Sequence, residues 1–167
     1  MEKVSRARVI ALPILLVTSI ISTIDSIFQP NTEILLAQSD NDMSMNPIVM
    51  HIHPHLSVLA NNSSIYVPEQ IGIDPSLWKD HSLDEYGMQS MPEMNMSAMA
   101  PLHTHDDSGS IHVESTINRD YTLGEFLSIW GMNLDGKTVK MTADNKPIAD
   151  FKEHILRDGE QIRLEVR

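Results

Sequence analysis

Met50-His51-Ile52-His53-Pro54-His55-Leu56-Ser57-Val58-Leu59-Ala60 is the stretch from which the fold is read. Met50, Ile52, Pro54, Leu56, Val58 and Ala60 share one parity, while His51, His53, His55, Ser57 and Leu59 share the other. This two-residue period predicts a half-buried strand with its apolar side inward and three imidazoles along the opposite side. Pro54 favours an edge position or a bulge. Asn61-Asn62-Ser63-Ser64 predicts a turn, with Ile65-Tyr66-Val67 returning as a second strand.

C-terminal to this hairpin, Asp74-Pro75 predicts a short helical turn, with the acid as cap and proline at the first helical position. Residues 82–101 lack a period and read as an irregular loop. Leu102-His103-Thr104-His105 and Ser110-Ile111-His112-Val113-Glu114 predict two strands turning at Ser108-Gly109. In that register His105 lies across from His112. Thr122-Leu123-Gly124-Glu125 is a capping box. Leu123, Phe126, Leu127 and Trp130 follow at helical spacing, and Gly131 is the stop. The tail predicts strands over 138–143 and 161–166, with a turn at Asp144-Asn145-Lys146-Pro147. The expected fold is α+β: a small mixed, β-grasp-like sheet crossed by helix 122–130, with a sandwich or barrel as alternative.

Lys3, Arg6 and Arg8 precede an uncharged stretch over 9–24, and Asp25 interrupts it. A basic flank before an apolar run is the layout of an export signal. Sixteen residues rise about 24 Å as a helix, against roughly 30 Å for a bilayer core. Residues 1–28 are expected to form a hydrophobic helix, read as a signal-anchor in preference to a cleaved signal peptide. Residues 29–47 read as a linker and 48–167 as the folded domain. The basic flank directs that domain to the extracytoplasmic face of the membrane.

Twelve basic and 23 acidic side chains give the chain a formal charge of −11, which disfavours nucleic acid and favours cations. Cysteine is absent, so thiolate nucleophiles, disulfides and thiolate-ligated zinc or blue copper are excluded. Metal ligands must come from imidazole, thioether, carboxylate or backbone oxygen. The chain has 8 histidines and 11 methionines.

Six of those histidines, His51, His53, His55, His103, His105 and His112, fall in the predicted strands, leaving His81 and His154 outside. Alternate residues on one strand face stand roughly 7 Å apart, close enough for adjacent imidazoles to converge on one ion. Asp106 and Asp107 are placed as further ligands or as partners that fix the imidazole tautomers. Three imidazoles suit zinc with bound hydroxide, three or four suit Cu(II), and two with a carboxylate suit iron. Met88, Met91, Met94, Met96 and Met99 add five thioethers within residues 88–99, and Met43 and Met45 form a further pair. Thioethers select Cu(I), which turns the choice towards copper, with zinc and iron as alternatives. An exposed polar face for the histidines, or an adaptable apolar patch for the methionines, would account for each cluster without metal.

The segments HIHPHLSVLANNSSIYVPEQIGI (51–73), LHTHDDSGSIHVES (102–115) and YTLGEFLSIWG (121–131) together resemble a group of uncharacterised exported or membrane-anchored prokaryotic proteins. The group's motifs are HxHxHL, LHTHDxSGxIHxE and TLGxFFxxWG, and the resemblance spans residues 48–134. It implies a polar site drawn from His51, His53, His55, His103, His105, Asp106, His112 and Glu114, with no established reaction. Members often carry a cysteine shortly before LHTHD, where this chain has Met99-Ala100-Pro101. The readings that follow are an extracytoplasmic copper carrier or accessory factor; a zinc or iron metalloenzyme using Glu114 or Asp106 as general base; and a subunit of a membrane-protein complex. No HExxH, nucleophile elbow or phosphate loop supports a familiar enzyme class.

Overall fold

A computed structural model describes residues 47–167, an α+β unit of two sheets and one α-helix. The expected hydrophobic helix over 1–28, most of the linker, and Met43 and Met45 lie outside the described residues. Among the described residues no helix is long and apolar enough to cross a membrane.

The predicted strand over 50–60 is two strands, β1 (Met50–Ile52) and β2 (His55–Ala60), and they belong to different sheets. Pro54 explains the break, because it has no N–H to donate to a ladder. Around it the chain changes partners. The His53 N–H donates to Asp158 Oδ1 at 2.9 Å, and the Pro54 carbonyl accepts from Ile111 N at 2.9 Å.

Strand β2 continues into β3 (Ser63–Ile65) through a tight turn at Asn61-Asn62, whose φ values of 49° and 65° suit asparagine. Ser63 and Ser64 therefore belong to the returning strand and not to the turn. Strands β4 (Leu102–His103) and β5 (His112–Ser115) are shorter than expected, and residues 104–111 form a longer loop between them. The register corrects the sequence reading accordingly: His103, and not His105, faces His112.

Helix α1 (Leu123–Trp130) has the full capping box, with Glu125 N–H donating to Thr122 Oγ1 and Thr122 N–H to Glu125. Gly131 ends it at φ 78°. The helix buries Leu123, Phe126, Leu127 and Ile129, whereas Trp130 is only half-buried, and it packs against β4. Strands β6 (Val139–Ala143), β7 (Lys146–Ile148) and β8 (Gln161–Val166) complete the domain. The turn before β7 needs only Asp144 and Asn145, at φ 48° and 63°.

The larger sheet has the order β3-β2-β8-β6-β7. Its central pair, β2 and β8, is parallel, and all other neighbours are antiparallel. Leu56 and Val58 on β2 pair with Ile162 and Leu164 on β8, and all four are buried. The smaller sheet has the order β1-β5-β4, with β5 paired antiparallel on both sides. Tyr121 fastens the end of β5 to the start of α1, its fully buried hydroxyl 2.6 Å from Ser115 Oγ.

Gly109 couples the two sheets. Its carbonyl accepts from Leu56 N at 2.8 Å, its φ is 89°, and a Cβ there would stand 2.3 Å from the Leu56 carbonyl oxygen. The neighbouring Ser110 bridges His55. Gly109→Ala must move the 104–111 loop away from β2 and adopt a φ that costs about 1–3 kcal/mol on its own. A loss of at least about 2 kcal/mol in chemical denaturation is expected; a variant as stable as the parent would show that this close approach is dispensable.

Candidate metal centre

The pleat of β5 directs Val113 and Ser115 into the core and His112 and Glu114 to the opposite face. Cross-strand pairing then adds His51, opposite Glu114, and His103, opposite His112. On the inward face Ile52 and Leu102 flank Val113. One face of a three-stranded sheet thus packs as core while the other gathers ligating groups. His53 and His105 join from the residues just beyond β1 and β4.

Two groups of donor atoms result, each with all its atoms within 4.8 Å of one another: His103, His105, His112 and Glu114; and His51, His53 and His112. His103 Nε2 and His105 Nε2 are 3.2 Å apart. Two nitrogens bound tetrahedrally to one ion at about 2.0 Å are separated by about 3.3 Å, so this pair has ligand spacing. Glu114 Oε1 lies 3.0 Å from His51 Nε2 and 3.4 Å from His112 Nδ1.

Tautomers are ordered where burial is deepest. His103, only 1 % exposed, has Nδ1 2.8 Å from the Ala100 carbonyl. Nδ1 must therefore carry the proton, leaving the Nε2 lone pair directed towards His105. A ligating histidine held through its other nitrogen by a backbone carbonyl has its ring fixed and its donor nitrogen exposed to the ion. The same spacing accommodates an N–H···N hydrogen bond, in which His105 is the Nε2–H donor.

Burial pushes the His103 imidazole down to about 4, and burial with the neighbouring His105 also lowers His112. Both rings are consequently neutral at pH 7, the form that binds metal. His112 Nδ1 is buried, and its nearest partner, Glu114 Oε1 at 3.4 Å, is too poorly aligned for more than a weak hydrogen bond. An imidazole nitrogen without a well-aligned partner inside this set of donors could take a cation.

Other sequence-predicted residues are placed elsewhere. His55, on β2, is in neither donor group and lies beside Gly109 and Ser110. Asp106 is also in neither; its Oδ1 accepts from Ser108 N at 2.9 Å and Ser108 Oγ at 2.6 Å, shaping the loop and holding its carboxyl below the usual range. Asp107 bonds the Tyr66 hydroxyl. His81 stacks on Trp78 and bonds Asp84, and His154 pairs with the buried Glu160 at 2.9 Å. The sequence marks Glu114 only as a general base and motif residue. Its place in the donor set follows from sharing parity with His112, a signal visible once β5 is recognised.

Residues 88–99 are not irregular. Met88 bridges Met99 and Met91 bridges Met96, forming a small hairpin closed by a short helical turn at Pro92–Met94. Met91 is buried and Met94 is 59 % exposed. The hairpin's return leg runs through Met99 into Ala100, whose carbonyl holds His103. The chain matches no family model, and no curated protein or solved structure matches it.

The low affinity of His103 for protons sets a pH dependence in the metal-free chain. Below pH 6.5 the unfolded state takes up a proton that the folded state refuses until about pH 4. Stability should therefore fall as pH drops from 6.5 to 4, by roughly 3 kcal/mol at most from this group, and level off below. In His103→Asn, which retains a donor for Ala100, denaturant midpoints should vary less over that range. Equal slopes for parent and variant would rule the imidazole out as the cause.

Proposed function

We propose that this protein is an extracytoplasmic copper-binding protein, a carrier or accessory factor held at the outer membrane face by its N-terminal segment. The observation that carries the reading is the donor set itself. Three imidazoles and a carboxylate meet within 4.8 Å, and two of the rings are neutral at pH 7. Imidazole serves both oxidation states of copper, and the methionine hairpin supplies soft donors for Cu(I) in a chain without thiols. One end of the cluster is buried at His103 while His51, His53 and His105 are exposed. That gradient supports capture at the surface and exchange with a partner. The likeness of three segments to exported or membrane-anchored proteins supports the location.

The larger sheet has the strand order of a β-grasp domain, with its first and last strands parallel and adjacent, which supports a β-grasp-like scaffold carrying the ligand sheet as an elaboration. A second reading draws on the exposure of His105. Three imidazoles with an open, solvent-facing side could hold zinc or iron and activate water, with Glu114 as base. A role as a subunit of a membrane-protein complex is compatible with either reading.

Elemental analysis of the untagged protein from its native source discriminates these readings. Copper is expected, and His105→Ala should lower its content; zinc or iron with no copper would defeat the copper assignment and favour the enzyme. Replacing Met88, Met91, Met94, Met96 and Met99 together by leucine conserves volume and removes the thioethers. Cu(I) affinity should weaken by about tenfold or more, roughly 1.4 kcal/mol, while Cu(II) uptake is unchanged. Unaltered Cu(I) affinity would leave the hairpin without a metal role.

A further inference from the structure

His112 belongs to both donor groups, and it is the ring through which they connect. Ring centroids run 4.6 Å from His51 to His53, 4.6 Å from His53 to His112, 4.6 Å from His112 to His105 and 4.8 Å from His105 to His103. Among the described residues, no ring contact joins His51 or His53 directly to His103 or His105. His51 and His103 also approach His112 directly, at 6.4 and 5.5 Å between centroids, so His112 is the hub of two ring triads, and the donor atoms of the two triads form separate groups that share only this residue. His103, His105, His112 and Glu114 already complete a four-donor set, leaving His51 and His53 as surplus donors on the far side of His112.

We propose that the cluster holds two transition-metal ions, one on each side of the His112 ring. His103, His105 and Glu114 hold the first ion, His51 and His53 hold the second, and His112 gives one ring nitrogen to each. The proposal rests on the metal-binding reading above and deepens it.

Three features support this arrangement. Imidazole is the protein side chain with two nitrogen donors pointing in opposed directions, so one ring can serve two ions. The His112 Nδ1 atom is buried and has no well-aligned hydrogen-bond partner among the described residues, which leaves it available to a cation. Carboxylates flank both halves: Glu114 Oε1 stands between His51 Nε2 and His112 Nδ1, and Asp158 Oδ1 is 3.9 Å from His53 Nδ1. Negative charge at both places offsets two cations in close proximity.

The proton balance is explicit. Neutral His112 has one lone pair and one N–H, so the first ion takes the lone pair. The second ion takes the other nitrogen as its N–H proton leaves to solvent, and the ring becomes an imidazolate bridge. Binding of the second ion therefore releases one proton from His112.

The test uses the full-length, untagged chain, stripped with a chelator and titrated with Cu(II) without reductant, so that the thioethers do not compete. Bound copper is counted after gel filtration, and electron paramagnetic resonance reads its spin state. The expected result is two ions per chain, with signal intensity well below that of two isolated Cu(II) ions because the bridge couples them. His53→Ala and His105→Ala alter exposed residues, so folding is retained. Each should bind one ion and show the full signal of an isolated Cu(II). Saturation of the parent at one ion, or two ions at full uncoupled intensity, overturns the bridged pair while leaving the metal centre intact. A parent that binds no copper overturns the underlying copper reading as well.

Discussion

Strand β5 is paired on both sides, and its pleat alternates between two incompatible environments. Val113 is fully buried between Ile52 and Leu102, which prevents β5 from slipping by one residue without exposing that contact and burying Glu114. Fixing the register for the core simultaneously fixes it for the ligands. His112 and Glu114 have nowhere to point but outward from the core, towards His103 and His51. The candidate ligands are thus held in place by apolar packing on the reverse side of the same sheet.

Electrostatics builds on that frame. Burying His103 disfavours its charged form, and the Ala100 carbonyl then determines which nitrogen remains available. His103 is buried, His112 and Glu114 are half-buried, and His51, His53 and His105 are exposed, so the candidate ligands span the range from core to solvent. The chain carries a formal charge of −11. Such a charge favours the approach of cations over anions.

Much of this was legible in the residues, and what was hidden has identifiable causes. The capping box at Thr122 and the glycine stop at Gly131 are local devices, so α1 could be read directly. The β2–β3 hairpin and the turn at Asp144-Asn145 likewise depend on neighbours in sequence. Pro54 was recognised as a disturbance, yet alternation continues unbroken through it, and periodicity cannot reveal that the chain changes sheets there. The β4–β5 register departs from the sequence expectation because Asp106 and Ser108 brace a longer loop against β2 in place of a two-residue turn. The two-residue turn would set His105 in the place of His103. Five of the six proposed ligating histidines still converge, since parity survives an error in loop length; His55 is lost because it lies beyond the proline. The methionine hairpin has no alternating pattern and was invisible until its cross-strand pairs could be seen.

The parallel pairing of β2 with β8 has a kinetic corollary. Residues near the start of the domain find their central neighbour only when the last strand has been made, so the larger sheet closes across about the whole domain and late. The ligand sheet is assembled from residues 50–115 and closes shorter loops. Before its C-terminal strand emerges, a nascent chain could thus already hold its imidazoles in register, with the edge of β2 still unpaired. Until β8 arrives, that open edge is the part of the domain most prone to pair with the wrong chain.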